Sequence, residues 1–221
     1  EDFNFSVELD LGDVAHIFIK VLDKLKISKL YAIIGGSIGG CLTWEMAAIK
    51  NDIAEKIIPV ASDWKANDWL IANTFLQDRI LENSKDPIGD ARIHAMTFYR
   101  TPESLNQRFL RSKNIEKGIY NVESWLDHHA IKLNQRFSLN SYKFLNKLLR
   151  SANITRDDSR LESKIKPSKS EIHIISVDSD IFFLPDEDKM TTQRLEKQKV
   201  KIKNHVIESC LLYTSDAADE L

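Results

Sequence analysis

Ser37 stands in the run Gly35-Gly36-Ser37-Ile38-Gly39-Gly40, which has the spacing G-x-S-x-G. An apolar stretch, LYAII at 30–34, precedes it, and a helical pattern follows. A hydroxyl placed there is presented on a sharp strand-to-helix turn. Small residues two positions to either side let strand and helix approach. The N–H of the next residue, Ile38, then faces the position of a tetrahedral oxyanion at the helix N-terminus. That chemistry is acyl transfer through an acyl-serine. The same glycines also suit a phosphate-binding or packing turn. A strict G-x-G-x-x-G is absent, however, and the next apolar run, KIIPVA at 56–61, ends in no acid. The nucleophile reading of Ser37 is therefore preferred.

An acyl-serine mechanism needs an acid and then a histidine later in the chain. Asp178 and Asp180 follow a predicted strand at 171–177. A lone Asp there is ordinarily a turn former. Beside the elbow, Asp180 becomes a candidate triad acid. The base is harder to place. His16 lies on an early helix, His173 lies within a strand, and His94, His128 and His129 fall in a helical block. His205 lies inside the last predicted strand rather than on the loop after it. By position, none of the six histidines is a convincing base.

The elements that must hold these residues follow from periodicity. Val14, Ile17, Phe18, Val21, Leu22 and Leu25 space an amphipathic helix over 11–26. The run at 30–34 lacks alternation, as in a strand buried on both faces. Leu42, Met46 and Ile49 space a second helix, and 56–61 is the next strand. This order predicts a βαβ unit and a parallel sheet. Between 65 and 152 the strand pattern disappears. Trp69, Ala72, Leu76 and Ile80 recur at helical spacing, as do Val122, Trp125, Leu126, His129 and Leu133, then Leu139, Tyr142, Leu145 and Leu149. Residues 153–170 read as a polar connecting loop. Strand character returns at 171–177, a helix follows near 188–198, and 200–209 reads as a final strand. The expected organisation is a core over 1–64, a helical insertion over 65–165 and a second core part over 166–209.

Composition excludes several classes. Lys and Arg number 31 against 33 Asp and Glu, for a net charge of −2, so no basic field argues for nucleic acid. No stretch approaches the about 18 apolar residues of a membrane helix, and no signal peptide opens the chain. Two cysteines, Cys41 and Cys210, give neither a disulfide framework nor metal-ligand spacing. A cytoplasmic protein without metal is expected.

Four blocks in order resemble the homoserine O-acetyltransferase family: the GGS-x-GG turn with Glu45 in TWEMA, DARIHAMTFYRTPESLNQRF at 90–109, YNVESWLDHHAIKLNQRFSLNSYKFLNKLL at 120–149, and VDSDIFFLP at 177–185. The resemblance implies an α/β fold, a partial α/β-hydrolase fold whose parallel sheet carries an inserted helical lid. It implies transfer of an acetyl group from acetyl-CoA, a co-substrate rather than a bound cofactor, to the hydroxyl of homoserine, a step of methionine biosynthesis. It assigns Ser37 as nucleophile, Asp180 as acid, the Ile38 N–H to the oxyanion, and Arg92 and Tyr99 to the substrate pocket. A guanidinium fork suits the homoserine carboxylate. A homodimer is implied for the full-length parent. Succinyl transfer, a serine acceptor, simple esterase activity and a non-catalytic homologue remain alternatives.

The resemblance also implies truncation at both ends. Family members carry the catalytic histidine in a segment like GHDAFL, together with an Asp near the substrate amine. Here CLLYTSDAADEL occupies 210–221, and it reads as a non-native, adapter-like tail. The loop that supplies the second oxyanion N–H is expected to precede Glu1. The chain alone is accordingly expected to be inactive, with its elbow strand left as a sheet edge.

Overall fold

The computed structural model describes residues 8–156 and 160–209. The tail at 210–221 lies outside the described residues.

Helix α1 (Leu11–Lys24) starts on a capping box, in which Asp10 accepts from the Asp13 N–H and Asp13 accepts from the Asp10 N–H. Strand β1 (Leu30–Gly36) leads through Ser37 into α2 (Ile38–Ile49) and then into β2 (Ala54–Val60). After a helical block come β5 (Glu171–Val177), α9 (Pro185–Lys197) and β6 (Ile202–Ile207). The four strands form one parallel sheet in the order β1-β2-β5-β6. Helix α2 is buried on most of its surface, including Cys41, Trp44, Met46 and Ala47. Trp44, Ile57, Ile172, Ile174, Leu161, Ile165 and Leu195 belong to one core cluster. Burying each such aliphatic side chain stabilises the fold by about 2 kcal/mol.

The insertion between β2 and β5 contains α3 (Asp68–Asn83), α4 (Pro87–Met96), α5 (Pro102–Phe109), α6 (Asn121–Asn134), α7 (Leu139–Arg150) and a single turn, α8 (Leu161–Lys164). Its helix starts are written in the sequence. Asn67, Asp86, Thr101 and Ser138 each accept a hydrogen bond from a first-turn N–H, and Pro87 and Pro102 sit at the first helical positions.

Four expectations need correction. First, β1, read from its composition as buried on both faces, is instead the sheet edge that the family resemblance led us to expect. Among the described residues it pairs only with β2, and Tyr31 and Ile34 are 70% and 68% exposed. Second, the apolar stripe of α1 does not all face inward: Ile17, Phe18, Val21 and Leu25 are exposed, and Leu11, Gly12 and Ala15 make the buried contact. Third, 113–120 holds a short antiparallel pair, β3 (Lys113–Asn114) and β4 (Ile119–Tyr120). Fourth, the segment read as a polar loop contains α8, which buries Leu161 and Ile165.

The helix α3 stripe is shifted as well. Trp69, Ala72 and Leu76 face outward, while Leu70, Asn73, Thr74, Gln77 and Leu81 face inward. The inward face is polar because those side chains have partners there. Asn73 donates to the Trp69 carbonyl, Thr74 to the Leu70 and Ile71 carbonyls, and Gln77 to the Ala91 carbonyl.

The elbow glycines divide into two kinds. A Cβ on Gly35 would overlap the Gly39 carbonyl, and one on Gly40 would overlap Ser62. Gly36 and Gly39 have open space where a Cβ would go. The close approach therefore runs through Gly35 and Gly40, not through the symmetric pair Gly35 and Gly39. Gly35→Ala and Gly40→Ala should each destabilise the chain by about 3 kcal/mol through overpacking against backbone or a fixed side chain. Gly39→Ala should be neutral or gain up to about 1 kcal/mol from helix propensity. Chemical denaturation of the three variants checks this, and a Gly40→Ala protein as stable as wild type would contradict it.

Candidate active site

The turn at Ser37, the residue expected to be the nucleophile, has a strained backbone. Ser37 has φ 53° and ψ −123°, in the region that side chains rarely occupy. Holding a serine there costs on the order of 1–3 kcal/mol. The surroundings fix it. Its N–H donates to the Val60 carbonyl at 3.0 Å, and its own carbonyl accepts from the Gly40 and Cys41 N–H groups at 2.8 and 3.0 Å. Ile38 opens α2, so its N–H is one that the helix itself leaves unbonded. It points along the positive end of the helix dipole.

Asp180 follows β5, at the same edge of the parallel sheet as Ser37. Its Oδ1 accepts from the Phe182 and Phe183 N–H groups at 2.7 and 2.8 Å. Its Oδ2 is buried and has no hydrogen-bond partner among the described residues. Burial pushes its carboxyl above the usual range, and the two backbone donors offset part of that rise. Asp178 does a different job. Its Oδ1 accepts from the Ser209 N–H and its own N–H donates to the Ile207 carbonyl, so it closes a turn against the end of β6.

Ser37, Ile38, Arg92 and Tyr99 line one cavity of about 270 Å³. Asp180 is not in its wall, but its turn delivers Phe182 to it. The Arg92 guanidinium carbon sits 5.0 Å from the centre of the Tyr99 ring, a cation–π contact. The structure adds wall residues that apolar periodicity did not reveal: Asn73, Thr74, Gln77, His94, Phe98 and Asn146, beside Tyr142 of the periodic stripe. Trp69 ties α3 to the acid turn, its indole N–H donating to the Ile181 carbonyl at 2.8 Å. Phe98 packs edge-on against Trp69, His94 and Phe182. A signal for these residues existed: polar side chains recur at helical spacing on α3, and an inward polar face marks a lined cavity.

The histidines lie elsewhere, apart from His94 in the cavity wall. His16 and His128 are exposed, and buried His129 packs on Trp125. His173 and His205 pair with each other at 3.1 Å across β5 and β6. None of the six is hydrogen-bonded to Asp180. Among the described residues, no group of three or more His, Cys, Asp or Glu side chains could hold a metal ion. No described helix is long and apolar enough to cross a membrane.

Neighbouring carboxyls crowd the acid. Burial pushes Asp63 up to about 8, with the charges of Asp188, Glu187 and Asp180 adding to the rise. Burial likewise raises Asp188 to about 7, with help from Asp180 and Glu187. Glu45 is buried too, but it is paired: Arg156 reaches it at 3.2 Å, and burial still holds its carboxyl above the usual range.

With this geometry in hand, the chain can be compared with known proteins. Solved structures share its architecture over nearly its whole length. Homoserine O-acetyltransferase from Bacillus anthracis superposes with TM-score 0.81 at 16% identity, covering 93% of this chain and 60% of that one. The Staphylococcus aureus homoserine O-acetyltransferase gives 0.79 at 20%, covering 96% and 62%, and esterase E22 gives 0.80 at 16%, covering 96% and 64%. The chain has the α/β-hydrolase fold. Curated relatives bearing the name homoserine O-acetyltransferase match about four-fifths of it. The protein from Trichormus variabilis is 26% identical over 193 residues, 81% of this chain and 54% of its own length. That from Chloroherpeton thalassium is 29% identical over 191 residues, 80% of this chain and 50% of its own length. The chain thus spans about half the length of these relatives. No protein-family model matches it.

The raised Asp63 carboxyl makes stability depend on pH. Folded Asp63 keeps its proton up to about 8, whereas the unfolded group releases it near about 4. The unfolded state therefore binds fewer protons across that window, and stability falls as pH rises through it. Asp63→Asn should remove this loss. Its melting temperature should exceed that of wild type at about pH 9 and approach it at about pH 4. A difference that is the same at both pH values would refute the assignment to Asp63.

Proposed function

We propose that the chain carries the acyl-transfer half of a homoserine O-acetyltransferase-like enzyme. The observation that carries this reading is the placement of strained Ser37, at an α/β-hydrolase elbow, in one cavity with Arg92. Ser37 Oγ attacks the thioester carbonyl of acetyl-CoA, the Ile38 N–H stabilises the oxyanion, and the thiol of CoA leaves. The hydroxyl of homoserine then attacks the acyl-serine. Arg92 holds the homoserine carboxylate, and Tyr99 packs beneath the guanidinium. Asp180 is the acid of the triad, since its buried Oδ2 can accept from an imidazole while Oδ1 is held by backbone. On this reading the reaction belongs to methionine biosynthesis and runs in the cytoplasm, in a homodimer of the parent protein; the family resemblance supports these assignments.

An esterase would use the same elbow, and esterases are among the structural neighbours. Arg92 favours the transferase, because a cation in the wall suits a carboxylate-bearing acceptor more than it suits water. None of the six histidines bonds to Asp180, so the sequence as given should turn over slowly on its own. General-base assistance contributes about 10²–10⁴-fold.

Incubation with acetyl-CoA and homoserine should give O-acetylhomoserine at a low rate. Free imidazole, supplying a base, should raise that rate by about tenfold or more. Ser37→Ala should abolish the stimulated reaction. Free acetate as the sole product would favour the hydrolase, and fast turnover without imidazole would overturn the proposed lack of a base.

A further inference from the structure

His94 on α4 lines the cavity but takes no part in the chemistry above. Its Nδ1 lies 2.7 Å from Gln77 Nε2. The orientation of the Gln77 amide is dictated by its other contacts. Gln77 Nε2 also lies 3.1 Å from the Ala91 carbonyl oxygen, which can only accept. The Tyr142 hydroxyl donates to Gln77 Oε1 at 3.4 Å. One amide hydrogen therefore goes to Ala91 and the other to His94. His94 Nδ1 must accept, so the imidazole proton resides on Nε2.

That proton is held firmly. Protonating Nδ1 as well would set two N–H groups against each other. Burial acts in the same direction and lowers the His94 pKa. His94 is thus a neutral donor. Its Nδ1 is occupied by α3, and its ring stands edge-on to Phe98, centroids 5.1 Å apart. Nε2 makes no hydrogen bond among the described residues.

The surroundings say what this donor would meet. Arg92 lies two residues earlier on the same helix and lines the same cavity. Tyr142, which holds Gln77, is itself near Arg92: burial pushes its phenol up, the neighbouring Tyr99 adds to the rise, and the Arg92 charge offsets it. The Gln77–His94 pair and the Arg92–Tyr99 pair both line this one cavity. Among the described residues that line the cavity there is no Asp, Glu or Lys. One fixed cation, neutral donors and no anion select a carboxylate.

We propose that His94 is a specificity-determining residue, whose Nε2–H donates to the acceptor carboxylate beside Arg92, and that Gln77 is the positioning residue that keeps the proton on Nε2. This rests on the acyltransferase reading. Arg92 supplies charge, and His94 supplies direction. A carboxylate oxygen that turns from the guanidinium meets a donor already in the right tautomer.

The test uses the full chain and L-homoserine as the probe, with binding followed by NMR titration and no turnover required. In the wild type, nitrogen–proton correlation of labelled imidazole should show His94 as the Nε2–H tautomer. His94→Leu should weaken homoserine binding by about tenfold or more, the cost of one lost hydrogen bond to a charged group. His94→Gln, whose amide nitrogen stands near the position of Nε2, should recover most of it. Binding of 3-aminopropan-1-ol, which lacks the carboxylate, should be the same in wild type and His94→Leu. Gln77→Leu should mix the tautomers and weaken homoserine partially. An Nδ1–H tautomer in the wild type overturns the proposal whatever the variants do. So does His94→Leu binding homoserine as tightly as wild type while Arg92→Ala binds it poorly, an outcome that leaves the acyltransferase reading standing. Wild-type protein that does not bind homoserine overturns both.

Discussion

The contact on which the Ser37 turn depends is the approach of β1 to α2 at Gly35. The Gly39 carbonyl occupies the space where a Cβ of Gly35 would go. That oxygen is held in turn by the Thr43 hydroxyl at 2.9 Å, one turn further along the helix. Gly40 meets Ser62, just beyond β2, so the helix start is pressed against two strand ends. Between these contacts the chain has no freedom to relax, and Ser37 is driven into a backbone region it would otherwise avoid. The strain is local and the compensation is distributed. Three backbone hydrogen bonds hold the serine, and the nearly complete burial of α2 anchors the whole turn. A serine aimed by steric exclusion does not need a side-chain hydrogen bond to keep its direction.

Much of this was legible in the sequence, and the reasons are specific. The elbow reads out because G-x-S-x-G encodes a steric requirement, and the structure shows capping side chains at Asn67, Asp86, Thr101 and Ser138, with Pro following Asp86 and Thr101. Asp178 and Asp180 are indistinguishable in sequence. The Ser209 N–H assigns one to a turn, and the Phe182 and Phe183 N–H groups fix the other. Periodicity failed on α3, where it follows Trp69 and Leu76 outward. A helix that lines a cavity reverses the usual rule, because its inward side chains bind one another and the cavity contents rather than a core. Arg92 and Tyr99 carried no signal without the family resemblance. Their meaning comes from sharing a wall with a serine 55 or more positions away. The strand that composition alone read as buried on both faces is the edge that the family resemblance implied, because burial belongs to neighbours, not to composition.

The charges divide across Ser37. On the lid side stand Arg92 and a set of neutral donors. On the other side stand Asp180, Asp188 and Asp63, whose burial favours protonation. In the proposed reaction a carboxylate-bearing acceptor enters against the first group, and the proton of its hydroxyl ends on the Ser37 Oγ that the acetyl group leaves.

Trp69 sits where these halves meet. Its indole N–H is fixed to the backbone of the acid turn, and its ring edge touches Phe98, which in turn touches Phe182 in the cavity wall. Indole emission responds to the polarity and hydrogen bonding around it. The protein therefore carries an optical gauge of its own, set at the joint between α3 and the turn that bears Asp180, and it reports whether the two move as one.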